Sequence, residues 1–456
     1  MPNLLLGSYD LGELGYAVEE YFVAGTATSY RPAGELTDDG HWNVVAADRA
    51  EYVTRAVTVA PVDGARFNGT VVVEWLNVSG GLDAPAVWLM GHRELLREGY
   101  AYVGVSAQRV GIEGGASLVA DLSLKTVAPE RYAPLSHPGD AFGFDIFTQI
   151  GTVVRHRGAE LLGALRPERI LAVGESQSAM FLTTYINAVA PLAPVYDGFF
   201  VHSRFGPAAP LDGRSLLDPG TIPSLPCPRF RDDAAAPVLA LITETDLLGS
   251  ALPGYLSARQ PGDGPARVWE LPGAAHADNY TIQGAFLDNG RTPVEELARA
   301  YRPTDTLLGR PLGHFLNFAP QHHYVLHAAI ARLHDWVRTG RAAPAAPRIE
   351  LTEPDAIAVD RDGIARGGVR TPWVEVPLAA TSGRNPQTDR MAMLFGSGEP
   401  FDAAHLARRY PGGHAQYLTE FTAALDHTIS AGFLVGADRR EILELADITA
   451  QWQFPR

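Results

Sequence analysis

The amino-acid sequence predicts an α/β protein whose central sheet is mostly parallel and carries helices on both faces. Two observations lead to this prediction. Segments typical of strands and of helices alternate from residue 69 to residue 276, which is the pattern of a parallel sheet with crossover helices. Several strands are unbroken apolar runs, such as "GTVVVEW" at 69–75, and strands of this kind are buried on both faces.

The predicted elements begin with a β-rich region and continue as the alternating series. In the β-rich region, "EYFVAGTATSY" and "YVTRAVTVAPV" combine β-branched and aromatic residues between turn signals. The strands of the series are expected at 69–78, 100–107, 169–176, 196–205, 237–246 and 267–276. Helices, identified by apolar residues at helical spacing, are expected near 84–98, 144–165, 178–189 and 321–339.

The chain is expected to consist of one main unit, residues 1–345, and a C-terminal extension, residues 346–456. The main unit contains the alternating series and an insertion at 277–320. An Ala/Pro-rich stretch, "RAAPAAPRIE", leads into the extension, where helices are expected near 402–433 and 439–449. So few helices cannot bury a sizeable core of their own, and we therefore expect the extension to pack on the main unit.

Composition narrows the class of partner. The net charge of −15 argues against nucleic acids and anionic membranes, because both are bound by clustered Lys and Arg. The one cysteine, Cys227, cannot form an intrachain disulfide. The first residues lack the pattern of a signal peptide, and no apolar run approaches the roughly 18 residues of a membrane helix. We expect a cytoplasmic protein; its oligomeric state stays open, with a homodimer among the alternatives.

Ser176 is the first candidate site residue. It lies in "AVGESQSAMF", between an apolar strand and an amphipathic helix. The pattern Gly-x-Ser-x-small at such a junction is typical of a nucleophile on a tight strand-to-helix turn. Gly174 supplies one small neighbour, whereas Ser178 stands where the common pattern has a second glycine. The alternative interpretation is a serine that only caps the helix.

A serine nucleophile needs a base and an orienting acid, and both follow Ser176 in the expected chain order of serine, acid, histidine. The strand ending at Ile242 is followed by Glu244 and Asp246, and the next strand leads to His276. Asp246 is favoured because it lies four residues past Ile242, and Glu244 remains the alternative acid. His314 is a second candidate base, although it does not follow a strand.

Backbone N–H donors are needed to stabilise the negative oxygen of a tetrahedral intermediate. One is expected from Gln177, at the start of the helix after Ser176. The other is expected from Asn77 and Val78, in the "WLNVSGG" segment after the first strong strand. The alternative is that this segment is only a flexible connection.

The histidines near 321–339 and the glycine-rich segments carry no further prediction. His323, His327 and His334 lie near one helical face, but there is no metal-binding HExxH motif, and we interpret them as polar edges of an amphipathic helix. "GIEGGAS" lacks the Lys-Ser/Thr of a phosphate-binding loop. We expect no metal and no cofactor.

Together, these motifs resemble the α/β-hydrolase superfamily across residues 60–340. More closely, "VVVEWLNVSGG", "GESQSA", "TETD", "GAAHAD" and "GGVRTPWVEVP" resemble a bacterial group described as alpha/beta hydrolase domain proteins. The resemblance spans nearly the whole chain. It implies an α/β-hydrolase fold and a catalytic triad made of Ser176, an acid in "TETD" and His276, but it does not imply a substrate.

The function expected from these residues is hydrolysis of a carboxylic ester or lactone through an acyl-enzyme. The insertion 277–320 and the C-terminal region are rich in aromatic residues and are expected to cover the pocket, which favours a medium-sized, mainly apolar small-molecule ester. The aromatic residues of the insertion are Tyr280, Phe286, Tyr301, Phe315 and Phe318. Two alternatives stay open. An acyltransferase would use the same triad, and a non-catalytic binding protein could share the fold.

Overall fold

The polypeptide folds around a mixed β-sheet in the computed structural model, which describes residues 3–218, 220–250, 252–260, 264–353, 356–386 and 391–454. The sheet strands are Tyr16–Pro32 (β1), Val44–Pro61 (β2), Thr70–Trp75 (β3), Ala101–Val105 (β4), Arg169–Glu175 (β5), Gly198–His202 (β6), Val238–Thr243 (β7) and Ala266–Leu271 (β8). In this described part of the chain, the eight strands pair in the order β1-β2-β4-β3-β5-β6-β7-β8.

Most neighbouring strands run parallel. β1 and β2 form a long antiparallel hairpin, and β2 also pairs antiparallel with β4. The other pairs are parallel: Val73 of β3, for example, lies opposite Val103 of β4 and Ala172 of β5. The mostly parallel sheet predicted from the sequence is therefore confirmed. The carboxyl ends of the parallel strands meet at one edge of the sheet, where α/β proteins place their sites.

Helices cover both faces of the sheet and build the extension. Their bounds are Ala86–Arg97 (α1), Arg109–Glu113 (α2), Leu124–Val127 (α3), Pro129–Tyr132 (α4), Gly143–Arg157 (α5), Ala159–Leu162 (α6), Gln177–Thr184 (α7), Glu244–Leu248 (α8), Ala285–Leu287 (α9), Val294–Ala300 (α10), Gln321–Thr339 (α11), Pro372–Glu375 (α12), Ala403–Arg409 (α13), Gly413–Ser430 (α14) and Arg439–Gln453 (α15). Short hairpins pair Thr306–Leu307 (β9) with Arg310–Pro311 (β10), Leu351–Glu353 (β11) with Ala356–Ile357 (β12), and Ala379–Ser382 (β13) with Ser397–Pro400 (β14).

The buried strands divide the core into two layers. Because successive residues of a strand point to opposite faces, Val72 of β3 belongs to a cluster with residues of α1 and α11. Its neighbours Val71 and Val73 belong to a second cluster, with residues of α5 and α7. The run of three valines in β3 follows from this burial on both faces.

The extension packs on the layer that contains α1 and α11. Phe421 of α14 and Leu445 of α15 belong to the same buried cluster as Val72 of the central sheet. Trp269 of β8 contacts Phe433 edge-on, with ring centroids 5.0 Å apart. That the main unit and the extension fold as one unit stays a prediction.

One predicted helix is divided in the structure. The segment 402–433 forms α13 and α14 instead of one helix. Pro411 lies between them and has no N–H for a helical hydrogen bond, and Gly412 follows it. The helix expected over 439–449 is confirmed as α15, which continues to Gln453.

Candidate active site

Ser176 lies on a tight turn between β5 and α7, with backbone angles of φ +56° and ψ −116°. A non-glycine residue in this conformation is strained, and such strain is typical of functional turns. Gly174 makes room for the turn, because a Cβ built there would lie 3.0 Å from the Ser178 carbonyl oxygen. The Ser178 hydroxyl donates to the Glu175 carbonyl at 2.8 Å and accepts from the Glu175 N–H at 3.0 Å. The serine in the second small position therefore stabilises the turn.

Asp246 and His276 lie together at the carboxyl ends of β7 and β8. Thr243, the last residue of β7, caps the start of α8 and forms a capping box with Asp246, the third residue of that helix. In this arrangement Asp246 Oδ2 accepts from the Thr243 N–H at 2.8 Å and from the Thr243 hydroxyl at 2.7 Å. Asp246 Oδ1 lies 2.6 Å from His276 Nδ1. The capping chemistry of "TETD" thus fixes the carboxylate that contacts the histidine.

The alternative acid and the alternative base lie elsewhere. The Glu244 carboxylate accepts from the Gly273 N–H at 2.9 Å and from the Ser382 hydroxyl at 2.6 Å. Because Ser382 belongs to β13, Glu244 links the loop after β8 to the extension. His314 lies outside the cavity that Ser176 lines. The structure therefore pairs His276 with Asp246, and not with Glu244.

The local charges favour an ionised Asp246 beside a basic His276. Burial works to raise the pKa of Asp246, but His276 and the Thr243 donors outweigh it and the net pKa is lowered. For His276, burial works to lower the pKa, and the carboxylates of Asp246 and Glu175 outweigh it, so that the net pKa is raised. Both shifts have the direction expected for a carboxylate that stabilises an imidazolium.

Glu175 is an acid at the site that the sequence reasoning missed. Its Oε1 lies 3.3 Å from His276 Nε2, and its Oε2 accepts from Asn77 Nδ2 at 3.0 Å. Burial raises the pKa of Glu175 to about 7; the Asp246 charge adds to this, while His276 and Asn77 oppose it. The available signal was its position, since the last residue of a parallel strand lies at the sheet edge where the site forms.

The backbone N–H groups expected to stabilise the negative oxygen have different hydrogen-bond partners in the structure. The backbone N–H of Gln177, at the first position of α7, has no backbone partner in the described part of the chain. The Val78 N–H donates to Gln177 Oε1 at a long 3.4 Å. The backbone N–H of Asn77 is already occupied, because it donates to the Ala84 carbonyl at 2.9 Å in an isolated bridge. This N–H is therefore not free to bind the negative oxygen. The side chain of Asn77 instead holds Glu175.

These groups open onto a cavity of about 880 Å³. Ser176 and His276 line it, together with Glu175, Gln177 and Val78. Most of the remaining wall is apolar and includes Leu89, Met180, Phe181, Phe205, Leu216 and Leu252. A wall of this kind, with a few convergent polar groups, is typical of small-molecule sites.

The cover of the cavity agrees with the expectation only in part. From the insertion 277–320, only Ala277 and Thr281 line the wall, and none of its five aromatic residues does. Tyr280, for example, stacks on His323 with ring centroids 3.8 Å apart. The C-terminal region does contribute, through residues of 391–395, and residues of 215–218 and 220–223 contribute as well, which was not expected. The expectation of an aromatic cover from the insertion is therefore wrong, whereas the part expected from the C-terminal region agrees with the structure.

Of the three histidines of α11 singled out in the sequence, His323 and His327 lie in the core and not at a polar edge, whereas His334 is half-buried. His323 is buried and its Nδ1 lies 3.2 Å from the Tyr301 hydroxyl, and His327 Nδ1 lies 2.8 Å from Asp438. Within the described residues, one group has the spacing to hold a metal ion: His41, Asp232 and Asp233, which are exposed and outside the cavity. No described helix is long and apolar enough to cross a membrane.

The strand order, with the strained serine turn and the Asp–His pair at adjacent strand ends, defines the α/β-hydrolase class. Comparison with protein families agrees with it, since residues 3–444 match the family described as alpha/beta hydrolase domain. The chain belongs to this family, and the resemblance inferred from the motifs is confirmed. No curated protein matches the sequence.

The solved structures that match this chain include proteins described as esterases. A candidate dienelactone hydrolase from Klebsiella pneumoniae is 17% identical, with 62% of this chain and 96% of that chain covered and a TM-score of 0.31. Esterase Est22 is 12% identical, with 56% and 72% covered and a TM-score of 0.29. A fungal esterase from Rhizomucor miehei is 13% identical, with 71% and 86% covered and a TM-score of 0.30.

Proposed function

We propose that the protein is a serine esterase that cleaves a carboxylic ester or lactone through an acyl-enzyme. The observation that carries this proposal is the 2.6 Å contact between Asp246 Oδ1 and His276 Nδ1, beside a cavity that Ser176 also lines. A serine hydroxyl is a weak nucleophile unless a base takes its proton, and the base must be held by an acid.

In the first half of the proposed reaction, Ser176 Oγ attacks the ester carbonyl while His276 Nε2 takes its proton. Asp246 holds the Nδ1 proton and stabilises the imidazolium that forms. The tetrahedral intermediate then collapses, the bond to the alcohol oxygen breaks, and the imidazolium gives its proton to the leaving alcohol. The acyl group remains on Ser176.

In the second half, His276 removes a proton from water, and the hydroxide attacks the acyl carbonyl. Collapse of this intermediate returns the proton to Ser176 and releases the carboxylic acid. In both halves the negative oxygen is stabilised by the backbone N–H groups of Gln177 and Val78. The substrate oxygen must displace Gln177 Oε1 from the Val78 N–H, a long contact of 3.4 Å that costs little to break. The reaction requires no metal and no cofactor.

The cavity supports a medium-sized, mainly apolar substrate. Its volume of about 880 Å³ is within the range of pockets that enclose drug-sized ligands. Apolar side chains such as Phe181 and Leu252 form most of the wall and gain from burying the apolar part of an ester. Glu175 and Gln177, the sequence neighbours of Ser176, also line the cavity, and the ester carbonyl is proposed to bind beside Ser176.

Covalent labelling tests the proposed nucleophile. A fluorophosphonate should form one adduct per chain, mapped by peptide mass spectrometry to the segment that contains Ser176, because only a serine beside a base reacts. The variants Ser176→Ala and His276→Ala should lose the labelling. Ser203→Ala serves as control, since Ser203 also has a positive φ of 50° at a strand end but does not line the cavity. Labelling at another serine, or none in the folded protein, would reject the esterase assignment.

The pH dependence of kcat/KM should respond to Glu175. His276 acts as a base only when it is neutral, so activity rises with pH as this histidine loses its proton. The Glu175 carboxylate contributes to the raised pKa of His276. In Glu175→Gln this contribution is removed, the pKa of His276 falls, and the acid limb of the profile should move to lower pH.

The matched control for this profile is Asp212→Asn. It removes the same charge from an exposed residue that pairs with Arg214 at 2.8 Å and does not line the cavity. The acid limb of this variant should coincide with that of the unmodified protein. A Glu175→Gln profile that stays in place or moves to higher pH would contradict the assignment of His276 as the base facing Glu175.

A further inference from the structure

Apart from the catalytic base His276, the charged groups on the cavity wall are of one sign. Among the described residues that line it, the acids are Asp140, Glu175 and Asp218, and there is no lysine or arginine. His202 also lines the wall, but burial, with neighbouring histidines adding to the effect, lowers its pKa well below the usual value, so it is neutral. Away from His276, a ligand in this cavity therefore meets neutral polar groups, apolar groups and carboxylates.

The described arginines next in sequence to the wall are not among the residues that line it. Arg204 follows β6, and its guanidinium donates to the carbonyls of Phe205 at 3.1 Å, Gly206 at 2.9 Å and Pro228 at 2.6 Å. Arg109 and Arg214 are exposed, and Arg214 pairs with Asp212 at 2.8 Å. An anionic group on a ligand would therefore have to leave water without gaining an ion pair with a lysine or arginine of the described wall, which is unfavourable.

Of the three acids on the cavity wall, Glu175 is the one that contacts His276. It directly precedes Ser176, and its Oε1 lies 3.3 Å from His276 Nε2. Its other oxygen is fixed by Asn77 at 3.0 Å, so the carboxylate is held in place. At an effective dielectric constant of about 20 and a separation of about 8 Å, repulsion between two unit negative charges corresponds to roughly 30-fold in rate or affinity.

We propose that this site is selective for esters without an anionic group, and that Glu175 is the residue that rejects anionic esters. The proposal rests on the esterase function proposed above and names its substrate class: uncharged apolar esters, as opposed to half-esters of dicarboxylic acids or esters of hydroxy acids. The net charge of −15 acts in the same direction, because it repels anions from the protein surface.

Two isosteric substrates test this selectivity. The compounds are 4-carboxyphenyl butyrate, an anion, and 4-carbamoylphenyl butyrate, its neutral amide, and each kcat/KM is divided by the rate of hydrolysis by hydroxide. At pH 8.5 the normalised kcat/KM of the neutral ester should exceed that of the anion by about tenfold or more, which is somewhat below the factor of roughly 30 expected from Coulomb repulsion. Equal turnover of the two esters, or preference for the anion, would overturn the proposal.

Variants assign the effect to Glu175. Glu175→Gln should reduce the preference for the neutral ester several-fold, whatever happens to the absolute rates, and Asp212→Asn should leave the preference unchanged. A Glu175→Gln protein that is folded by circular dichroism and keeps the full preference would overturn the role of Glu175. If this variant does not fold, the comparison of the two esters on the unmodified protein still decides the selectivity.

Failure of the esterase proposal gives a different result. In that case neither ester is turned over and the fluorophosphonate does not label Ser176. A protein that is labelled at Ser176 and hydrolyses both esters equally well is an esterase without the charge selectivity.

Discussion

Replacing Asp246 by asparagine should lower kcat for a neutral aryl ester by about 10⁴-fold, as loss of the orienting acid does in Ser-His-Asp triads. The geometry gives a specific reason. The N–H and hydroxyl of Thr243 both donate to Asp246 Oδ2, at 2.8 Å and 2.7 Å. In Asp246→Asn these two donors would hold the amide oxygen, and the NH₂ group would face His276. The imidazole must then carry its proton on Nε2, where it cannot take a proton from Ser176.

The matched control is Glu244→Gln. Glutamine keeps an oxygen that can accept from the Gly273 N–H or the Ser382 hydroxyl, and the pair of Asp246 and His276 is untouched. We expect a loss of kcat below about tenfold, since Glu244 has no hydrogen bond to His276 and a typical hydrogen bond contributes on the order of 1 kcal/mol. Steady-state kinetics on both purified variants decide between the acids. A larger loss in Glu244→Gln would transfer the role to Glu244, and small losses in both would contradict the triad.

The sequence limits the orienting acid to Glu244 or Asp246 but does not decide between the two. Counting from Ile242 favours Asp246, yet both acids lie in the same four-residue motif. What separates them is helix capping: Asp246 at the third position of α8 bonds back to Thr243, which directs its free oxygen toward His276. The T-x-x-D spacing of a capping box is visible in the sequence, and reading it that way would have strengthened the choice of Asp246.

Other features of the site depend on distant segments and have no local signature. The Asn77 N–H donates to the Ala84 carbonyl in an isolated bridge, and the segment "WLNVSGG" alone does not indicate this partner. The cover of the cavity includes residues of 215–218, 220–223 and 391–395, which are far apart in the chain. Aromatic composition wrongly favoured the insertion, where Tyr280 and Tyr301 stack on His323 of α11 instead. By contrast, the strands and helices of the sheet region can be predicted from the spacing of apolar residues and from apolar runs, because both are properties of the local sequence.

Residues 1–345, expressed alone, should fail to give a soluble protein that melts cooperatively and is labelled by a fluorophosphonate. Without the extension, the layer formed by α1 and α11 would lose Phe421 and Leu445 from its cluster. Exposing a large, buried apolar side chain lowers the free energy of unfolding by about 1.5–3 kcal/mol. A few such losses are comparable with the whole stability of a domain. A soluble, fully labelled truncation would show that the extension is a separate, dispensable domain.

The same dependence can be tested in the full-length chain at Asp438, which links the extension to both helices of that layer. Its Oδ1 accepts from Arg97 of α1 at 2.6 Å, and its Oδ2 lies 2.8 Å from His327 Nδ1 of α11. Burial works to raise the pKa of Asp438, but His327 and Arg97 outweigh it and hold this pKa well below its usual range. The carboxylate is therefore ionised and paired at neutral pH.

Asp438→Asn removes this charge from the buried group that Arg97 and His327 share, and leaves the partly buried Arg97 with its pairings to Glu94 and Glu98. We expect the free energy of unfolding to fall by about 3 kcal/mol, the lower end for breaking a buried ion pair, with an unchanged slope in urea unfolding. Asp426→Asn is the matched control on α14, since Asp426 pairs with Arg439 at 2.6 Å on the surface, and exposed pairs contribute little. If Asp438→Asn is as stable as Asp426→Asn, the extension does not hold α1 and α11 through this contact, and the two parts of the chain are less dependent on each other than we propose.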